Sequence, residues 1–255
     1  MIPVPKYPEG SNLLRDKVVV VTAAAGTGIG SAVAKRSLEE GAHVVLSDWH
    51  ERRLAEKAEE LGDVHAIPCD VTDEAQVQSL IDGTIAHYGR IDVLINNAGL
   101  GGSRSIVDMT DEEWSRVLDV TLGGTFRATR AALRAFIAQG TGGAIVNNAS
   151  VIGWRAQAEQ AHYAAAKAGV MALTRCAAVD VAEHGIRVNA VAPSLAMHPF
   201  LAKVTTEDLL EELTAREVSG RAAQPWEVAN VMVFLASDYA SYLTGEVISV
   251  SSQHA

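Results

Sequence analysis

Lys17-Val18-Val19-Val20-Val21-Thr22-Ala23-Ala24-Ala25-Gly26-Thr27-Gly28-Ile29-Gly30 decides the fold. Its first half is a short, β-branched, apolar run, the pattern of a strand buried on both faces of a parallel sheet. Its second half is a turn of small residues that hands the chain to a helical pattern over Ile29–Glu40. Strand, small-residue turn and helix in that order make a phosphate cradle. Glycines let the backbone approach a pyrophosphate, and the helix N-terminus supplies free N–H groups and positive dipole. About twenty residues on, Asp48 closes the next apolar run, His43–Ser47, where a carboxylate can accept the hydroxyls of an adenosine ribose. A glycine turn alone is an ordinary tight turn; the turn and the acid together predict a dinucleotide site.

Outward from this unit, strand and helix patterns alternate to the end of the chain. Strands are expected at Val18–Thr22, His43–Ser47, Val64–Cys69, Asp92–Ile95, Ala144–Asn148, Arg187–Val191 and Val247–Val250. Helices are expected at Ile29–Glu40, Arg52–Leu61, Glu74–Tyr88, Asp111–Gln139, Ala161–His184 and Trp226–Ser237. The alternation predicts an α/β fold: a Rossmann-type, doubly wound, mainly parallel seven-stranded sheet with helices on both faces. Residues 1–16 read as an extended surface arm, 17–255 as one dinucleotide-binding catalytic domain, and 194–220 as a lid with an acidic helix from Thr205 to about Glu217. In such sheets ligands bind at the carboxyl ends of the strands. Thr22–Gly30, Asp48, Asp70, Asn96–Gly99, Ser150 and Pro193–Ser194 all follow strands.

Composition narrows the function. The 255 residues are 48% hydrophobic, enough for a large core, and no apolar run reaches the length of a membrane span. A formal net charge of −10 argues against nucleic acid or an anionic membrane as partner. The first residues lack the apolar core of a secretion signal, and the chain reads as cytoplasmic. Cys69 and Cys176 stand apart and read as reduced core thiols. The eight histidines show no pair at ligand spacing on one helix, so no metal is expected.

Chemistry enters at Ser150, Tyr163 and Lys167. A Tyr and a Lys four apart share one helix face. An ammonium beside a phenol favours the phenolate and lowers the tyrosine pKa from about 10, making Tyr163 a general acid/base. Ser150, delivered from a strand end, could polarise a carbonyl at the same point. Alone, the Tyr–Lys pair is an ordinary helix face; behind a nucleotide turn it reads as a site.

With these residues in place the chain resembles the short-chain dehydrogenase/reductase family over nearly its whole length. The resemblance rests on Thr22…Gly26-Thr27-Gly28-Ile29-Gly30, Asp70-Val71, Asn96-Asn97-Ala98-Gly99, Ser150, Tyr163…Lys167 and Asn189-Ala190-Val191-Ala192-Pro193. It implies nicotinamide-dependent hydride transfer between a secondary alcohol and a ketone. In that likeness Tyr163 exchanges the proton, Lys167 tunes it and holds the nicotinamide ribose, and Ser150 bonds the substrate oxygen. Gly26, Thr27, Gly28 and Ile29 would line the pyrophosphate, with Thr22 in the same turn. Asp70 and Val71 would face the adenine, and Asn97, Ala98 and Gly99 the adenine ribose side. The peptides near Pro193 and Ala196 would meet the carboxamide.

Departures from the family pattern are as specific. Ala23 stands where the family has Gly, and the turn is one residue longer, which suggests another loop shape. Thr121 stands where a relay Asn is common, as a relay member or as a helix–helix contact. Ser194 and His198 replace a Gly and a Thr, and His198 could meet cofactor or substrate or cap the lid. A Gly pair at the end is replaced around Ser251-Ser252-Gln253.

Asp48 favours NAD over NADP by accepting the ribose hydroxyls and repelling a 2′-phosphate; His50, Arg52 and Arg53 read as a solvated first helical turn. The substrate pocket is expected between Gly101–Ser105, Val151–Gln157 and Met197–Val204. It would offer Ile152, Trp154, Met197, Phe200 and Leu201 beside Arg104, Arg155 and Lys203. Apolar lining with cations suits a bulky hydroxy/keto compound with an acidic tail, such as a CoA thioester, or else a packed lid. Ala23–Gly28, Asn148–Gln157 and Gly245–Ser251 also look like an actinobacterial subgroup linked to steroid C/D-ring breakdown. There a ring hydroxyl on a hydroxy-methyl-oxo-octahydroindene propanoyl-CoA is oxidised. A general acyl-carrier or acyl-CoA ketoreductase, and a silent NAD-binding member, are the alternatives. The family often forms dimers or tetramers, so a homodimer or homotetramer is implied.

Overall fold

The computed structural model describes residues 2–199, 201 and 207–252. Seven strands form one sheet: β1 (Val18–Val21), β2 (His43–Asp48), β3 (Val64–Pro68), β4 (Val93–Asn96), β5 (Gly143–Asn148), β6 (Ile186–Pro193) and β7 (Val247–Val250). Their order is β3-β2-β1-β4-β5-β6-β7, and every pair is parallel. The order reverses between β1 and β4, so a crevice opens beyond their carboxyl ends.

Burial on both faces explains the all-apolar strands. Val19 and Val21 join Val44, Leu46, Val33, Val228 and Met232 in the core under α1 (Ile29–Glu39) on one side. Val20 joins Val45, Leu94, Leu80, Phe136 and Ile145 on the other. That second layer is built by α3 (Glu74–Tyr88), α5 (Gly124–Gln139) and α6 (Ala161–Val181), while α2 (Glu51–Leu61) follows β2. Helix ends carry their sequence signals. Asp73 accepts from Ala75 N and Gln76 N at the start of α3, and Gly89 ends it at φ 77°. Among the described residues two further helices follow β6, α7 (Glu207–Ala215) and α8 (Pro225–Ala236).

The middle helix differs from its uniform sequence pattern. It is α4 (Asp111–Leu118), then a π-helical turn over Asp119–Gly123, then α5. A Cβ on Gly124 would stand 2.6 Å from Val71 Cγ2, so Gly123-Gly124 lets the widened turn lie against the β3 end. Hydrophobic periodicity runs through such a turn and does not reveal it.

The arm before β1 is bonded along its length. Buried Arg36 donates to Pro8 O (2.9 Å) and Glu9 O (3.0 Å) and pairs with Glu40 (2.5 Å). Glu40 accepts from Ser11 N and Leu13 N. Tyr7 stacks edge-on against Trp226. Ile2 N donates to Ser219 O (2.8 Å), and Arg221 Nε donates back to Ile2 O (3.0 Å).

Two side-chain expectations change here. Cys176 is exposed, because it falls on the outer face of α6; Cys69 is buried as expected. The histidines are not all scattered: His65 and His87 stack 4.1 Å apart, and His43 stacks on neighbouring Tyr88. Tertiary packing, invisible to spacing on one helix, collects them at the β3 edge. Among the described residues no group of three or more ligating side chains could hold a metal. Among the same residues no helix is long and apolar enough to cross a membrane.

Candidate active site

The turn after β1 keeps its shape by strain. Ala23 adopts φ 50°, the left-handed region that favours glycine. At the position where the family has glycine, the loop holds a glycine-like conformation with an alanine. Its neighbours enforce this: Asn97 Nδ2 donates to Ala23 O (3.1 Å) and Thr22 O (3.2 Å), and Ala24 N donates to Ser47 O (3.0 Å). A Cβ on Gly30 would fall 2.4 Å from both Ala23 O and Asn97 Nδ2, so only glycine fits in the first turn of this helix at that position. Gly26, Thr27, Gly28 and Ile29 present the turn to the cleft. Bare backbone at a helix start is the cradle a dinucleotide pyrophosphate needs. Thr22 is not on the cleft wall. It is buried behind it, where its hydroxyl accepts Asn97 N (3.0 Å) and Ala98 N (3.1 Å).

Asp48 is 8% exposed and accepts from Ala25 N (3.2 Å) and His50 N (3.0 Å), which ties the acid to the turn. Asp70, Val71, Asn97, Ala98 and Gly99 continue the wall. Arg52 is solvated as expected, in an exposed pair with Glu56. Arg53 is not: it lines the cleft, and its buried Nε has no partner. Trp49, 68% exposed, lines the cleft beside it and was not singled out by any motif.

At the carboxyl end of β5, Ser150 opens a 3-10 turn and lies 8% exposed. Its hydroxyl is hydrogen-bonded to Tyr163, one helical turn from Lys167 on α6. Lys167 Nζ donates to Asn148 O (2.5 Å) and lies 5.6 Å from the centre of the Tyr163 ring. The expected fall in the tyrosine pKa is reversed. Burial pushes the Tyr163 phenol up, and the Ser150 hydrogen bond pulls it part of the way back. Burial also pushes the Lys167 ammonium down, to about 8. The lysine gives its hydrogen bond to a carbonyl rather than to the phenol, so desolvation decides the direction.

Thr121 lies off the cleft wall. It is fully buried in the π-helical turn, donating to Leu100 O (3.2 Å) and accepting from Leu100 N (3.0 Å). Of the two readings of Thr121, this geometry is that of a structural contact. Asn148, which no motif singled out, lines the cleft instead. The only signal for it was a second amide, after Asn147, at a strand end.

Beyond the triad, Pro193, Ala196 and His198 line the wall. His198 sits over the turn, its ring 3.5 Å from where a Cβ of Gly28 would be, and its Nδ1 accepts from Leu201 N (3.3 Å). The substrate side matches its expectation only in part. Ile152, Leu201 and Arg155 line the cleft. Trp154 (49% exposed) and Met197 are not on its wall. Arg104 is clamped by Glu113 (2.8 and 3.0 Å). Phe200, Lys203 and Val204 lie outside the described residues, as do Gln253 and the first part of the expected acidic helix. The lid base is fixed by buried Glu217, which accepts from Leu195 N (3.4 Å) and Ser252 Oγ (2.8 Å). Turn, triad and lid share one cleft of about 2030 Å³. That exceeds the roughly 300–1,000 Å³ of a one-ligand pocket and leaves room for a dinucleotide and a second large molecule.

A parallel sheet with a glycine turn at its switch point and a Ser–Tyr–Lys set across the same cleft defines a nucleotide-dependent oxidoreductase. The chain belongs to the short-chain dehydrogenase/reductase family, whose members typically use a nicotinamide cofactor. A family model described as Enoyl-(Acyl carrier protein) reductase matches residues 23–252. The chain is 65% identical over 255 residues to a (5R,7aS)-5-hydroxy-7a-methyl-1-oxo-2,3,5,6,7,7a-hexahydro-1H-indene-carboxyl-CoA reductase of Mycobacterium tuberculosis, covering 98% of this chain and 97% of the relative. It is 40% identical to a 3-oxoacyl-[acyl-carrier-protein] reductase of Thermotoga maritima, over 93% of this chain and 97% of the relative. A crystal structure of a short chain dehydrogenase from Mycobacterium smegmatis superposes with a TM-score of 0.89 at 58% identity, covering 99% of each chain. The mycobacterial relative bears out the likeness to steroid-degrading enzymes. Its substrate is a hexahydroindene-carboxyl-CoA where an octahydroindene propanoyl-CoA was implied, and it is a reductase.

Proposed function

We propose that this protein is an NAD-dependent reductase/dehydrogenase interconverting a ring ketone and a secondary alcohol on a bulky, CoA-linked, steroid-derived intermediate. One observation carries the chemistry: Ser150 and Tyr163 are hydrogen-bonded to each other at the edge of a cleft that also holds the glycine turn. When bound, a nicotinamide dinucleotide supplies or accepts the hydride. Gly26, Thr27, Gly28, Ile29 and His198 hold its pyrophosphate, Asp48 its adenosine ribose, and Asp70, Val71, Asn97, Ala98 and Gly99 line its adenine half. Lys167, Pro193 and Ala196 face its nicotinamide half. Ser150 orients the substrate oxygen. Tyr163 carries the proton exchanged with that oxygen, and its raised pKa keeps the phenol protonated, which suits reduction.

The substrate class rests on the cleft's size, on the 65% identical relative, and on Arg116. Arg116 lines the cleft from α4 and forms no ion pair among the described residues. Neighbouring arginines are taken: Arg104 by Glu113, Arg127 by Asp119 and Arg216 by Glu212. Self-association as a dimer or tetramer is supported by exposed Phe126 and Ile137 on α5 and Val179 on α6.

The test is a screen of bicyclic keto acids, free and as CoA thioesters, and of 3-oxoacyl esters of acyl carrier protein, with NADH and NADPH, followed by cofactor absorbance. Turnover of the thioesters with NADH is expected. Turnover confined to acyl-carrier-protein esters would move the protein to the ketoreductase alternative. NADPH preference would remove Asp48 as the selector, and NADH binding without turnover on any ketone would mark a silent binder.

A further inference from the structure

Thr121 and Asn148 both stand beside Lys167, and only Asn148 carries a polar atom with no partner at all. The Thr121 hydroxyl is closed on the Leu100 peptide, with its proton directed to Leu100 O. Asn148 is different. Its backbone carbonyl already receives Lys167 Nζ at 2.5 Å, and its Nδ2 donates to Asn97 Oδ1 at 3.0 Å. Asn97 in turn donates through Nδ2 to Thr22 O and Ala23 O, and this chain of amides fixes which atom of Asn148 is the oxygen. That oxygen, Oδ1, is buried, has no hydrogen-bond partner within the protein, and belongs to a residue of the cleft wall. A buried amide oxygen without a donor is unfavourable, and such atoms in native structures mark a functional demand or a bound water. Lysine has three protons and the carbonyl takes one, so donors are at hand.

We propose that Asn148, not Thr121, is the positioning residue behind Lys167, its Oδ1 holding the water that recharges the ammonium. The proposal rests on Tyr163 being the acid. In reduction the Tyr163 O–H bond breaks and its proton goes to the substrate oxygen. Lys167 gives a proton to the phenolate and regains one from water held at Asn148 Oδ1, and that water takes a proton from bulk solvent in turn. Asn148 gains and loses no proton. The same residue ties Lys167 through Asn97 to the nucleotide turn, so both halves of the site share one rigid line of hydrogen bonds.

The test is the pH profile of kcat with NADH for Asn148→Leu, Asn148→Asp and Thr121→Val, with NADH affinity and thermal unfolding measured on each. Asn148→Leu removes the side-chain oxygen and keeps the backbone carbonyl. It should lower kcat about tenfold and move the alkaline limb to lower pH at saturating NADH, whatever NADH affinity is lost with the Nδ2 bond to Asn97. Asn148→Asp restores an oxygen with a charge that favours the ammonium, and should move the limb the other way. Thr121→Val should leave the limb in place. A wild-type limb in both Asn148 variants, or a limb moved by Thr121→Val, overturns the proposal. Should Asn148→Leu fail to fold, the direction of the Asn148→Asp shift decides. Full turnover in Tyr163→Phe would instead remove the underlying assignment of the acid.

Discussion

The two ends of the cleft are built in opposite ways. At the nucleotide end the working groups are peptides and short side chains on strand ends: the turn around Gly26–Gly30, Asp48 against Ala25 and His50, Asn97 against Ala23. At the substrate end they are long side chains on loops and on a lid, and of the six expected there that are described, three are off the cleft wall. Trp154 faces solvent and Arg104 is clamped by Glu113. A site made of backbone is fixed by the sheet that carries it. A site made of loop side chains is fixed by rotamers and neighbouring charges, which a sequence does not display.

The largest effect should come at the junction of the two ends. Tyr163→Phe should lower turnover by about 10²–10⁴-fold while NADH affinity holds, read by steady-state kinetics and calorimetry. Equal loss of NADH binding would mean that the halves are not separable. At the nucleotide end, Gly30→Ala should lower folding stability by about 1–3 kcal/mol in denaturant titration and weaken NADH binding, because its Cβ would overlap Ala23 O. At the substrate end a change should be milder and selective. Arg116→Ala should raise KM for a CoA thioester about two- to fivefold, with NADH affinity untouched. An effect on NADH instead would assign this cation to the cofactor.

Two smaller tests lie away from the junction, one at the β3 edge and one in the nucleotide turn. Burial and neighbouring His87 push the His65 pKa below its ordinary 6.5, so the folded state binds this proton less well than the unfolded chain. The stability this contributes is present above about 6.5 and is lost as pH falls through that value. Thermal scans should show Tm falling in mild acid, less so in His65→Phe. Ala23→Gly should relieve the left-handed alanine and raise stability by about 0.5–1 kcal/mol, the smallest change of the set.

The same contrast explains what the sequence could disclose. Parallel strands buried on both faces read as continuous Val/Ile runs, so β1, β2, β6 and β7 were found within two residues of their ends. Ser150, Tyr163 and Lys167 could be placed together because they obey helix spacing and strand-end placement, and they do share one cleft. The π-helical turn was missed because its hydrophobic period is unbroken. Asn148 carried no such signal, because a buried oxygen left without a partner is a property of packing rather than of residue type. The direction of the Tyr163 shift was misjudged because spacing brings two side chains to one face without saying where the lysine sends its proton.

The clasp between the arm and the lid base bears on the order of folding. Arg221 and Ile2 are 219 positions apart, so their hydrogen bond closes a loop nearly as long as the chain. Contacts of that separation gain nothing until the intervening sheet exists, and they form late. The segment around Ser219 that steadies the lid is therefore finished last on synthesis, and its amides should be among the earliest to exchange with heavy water.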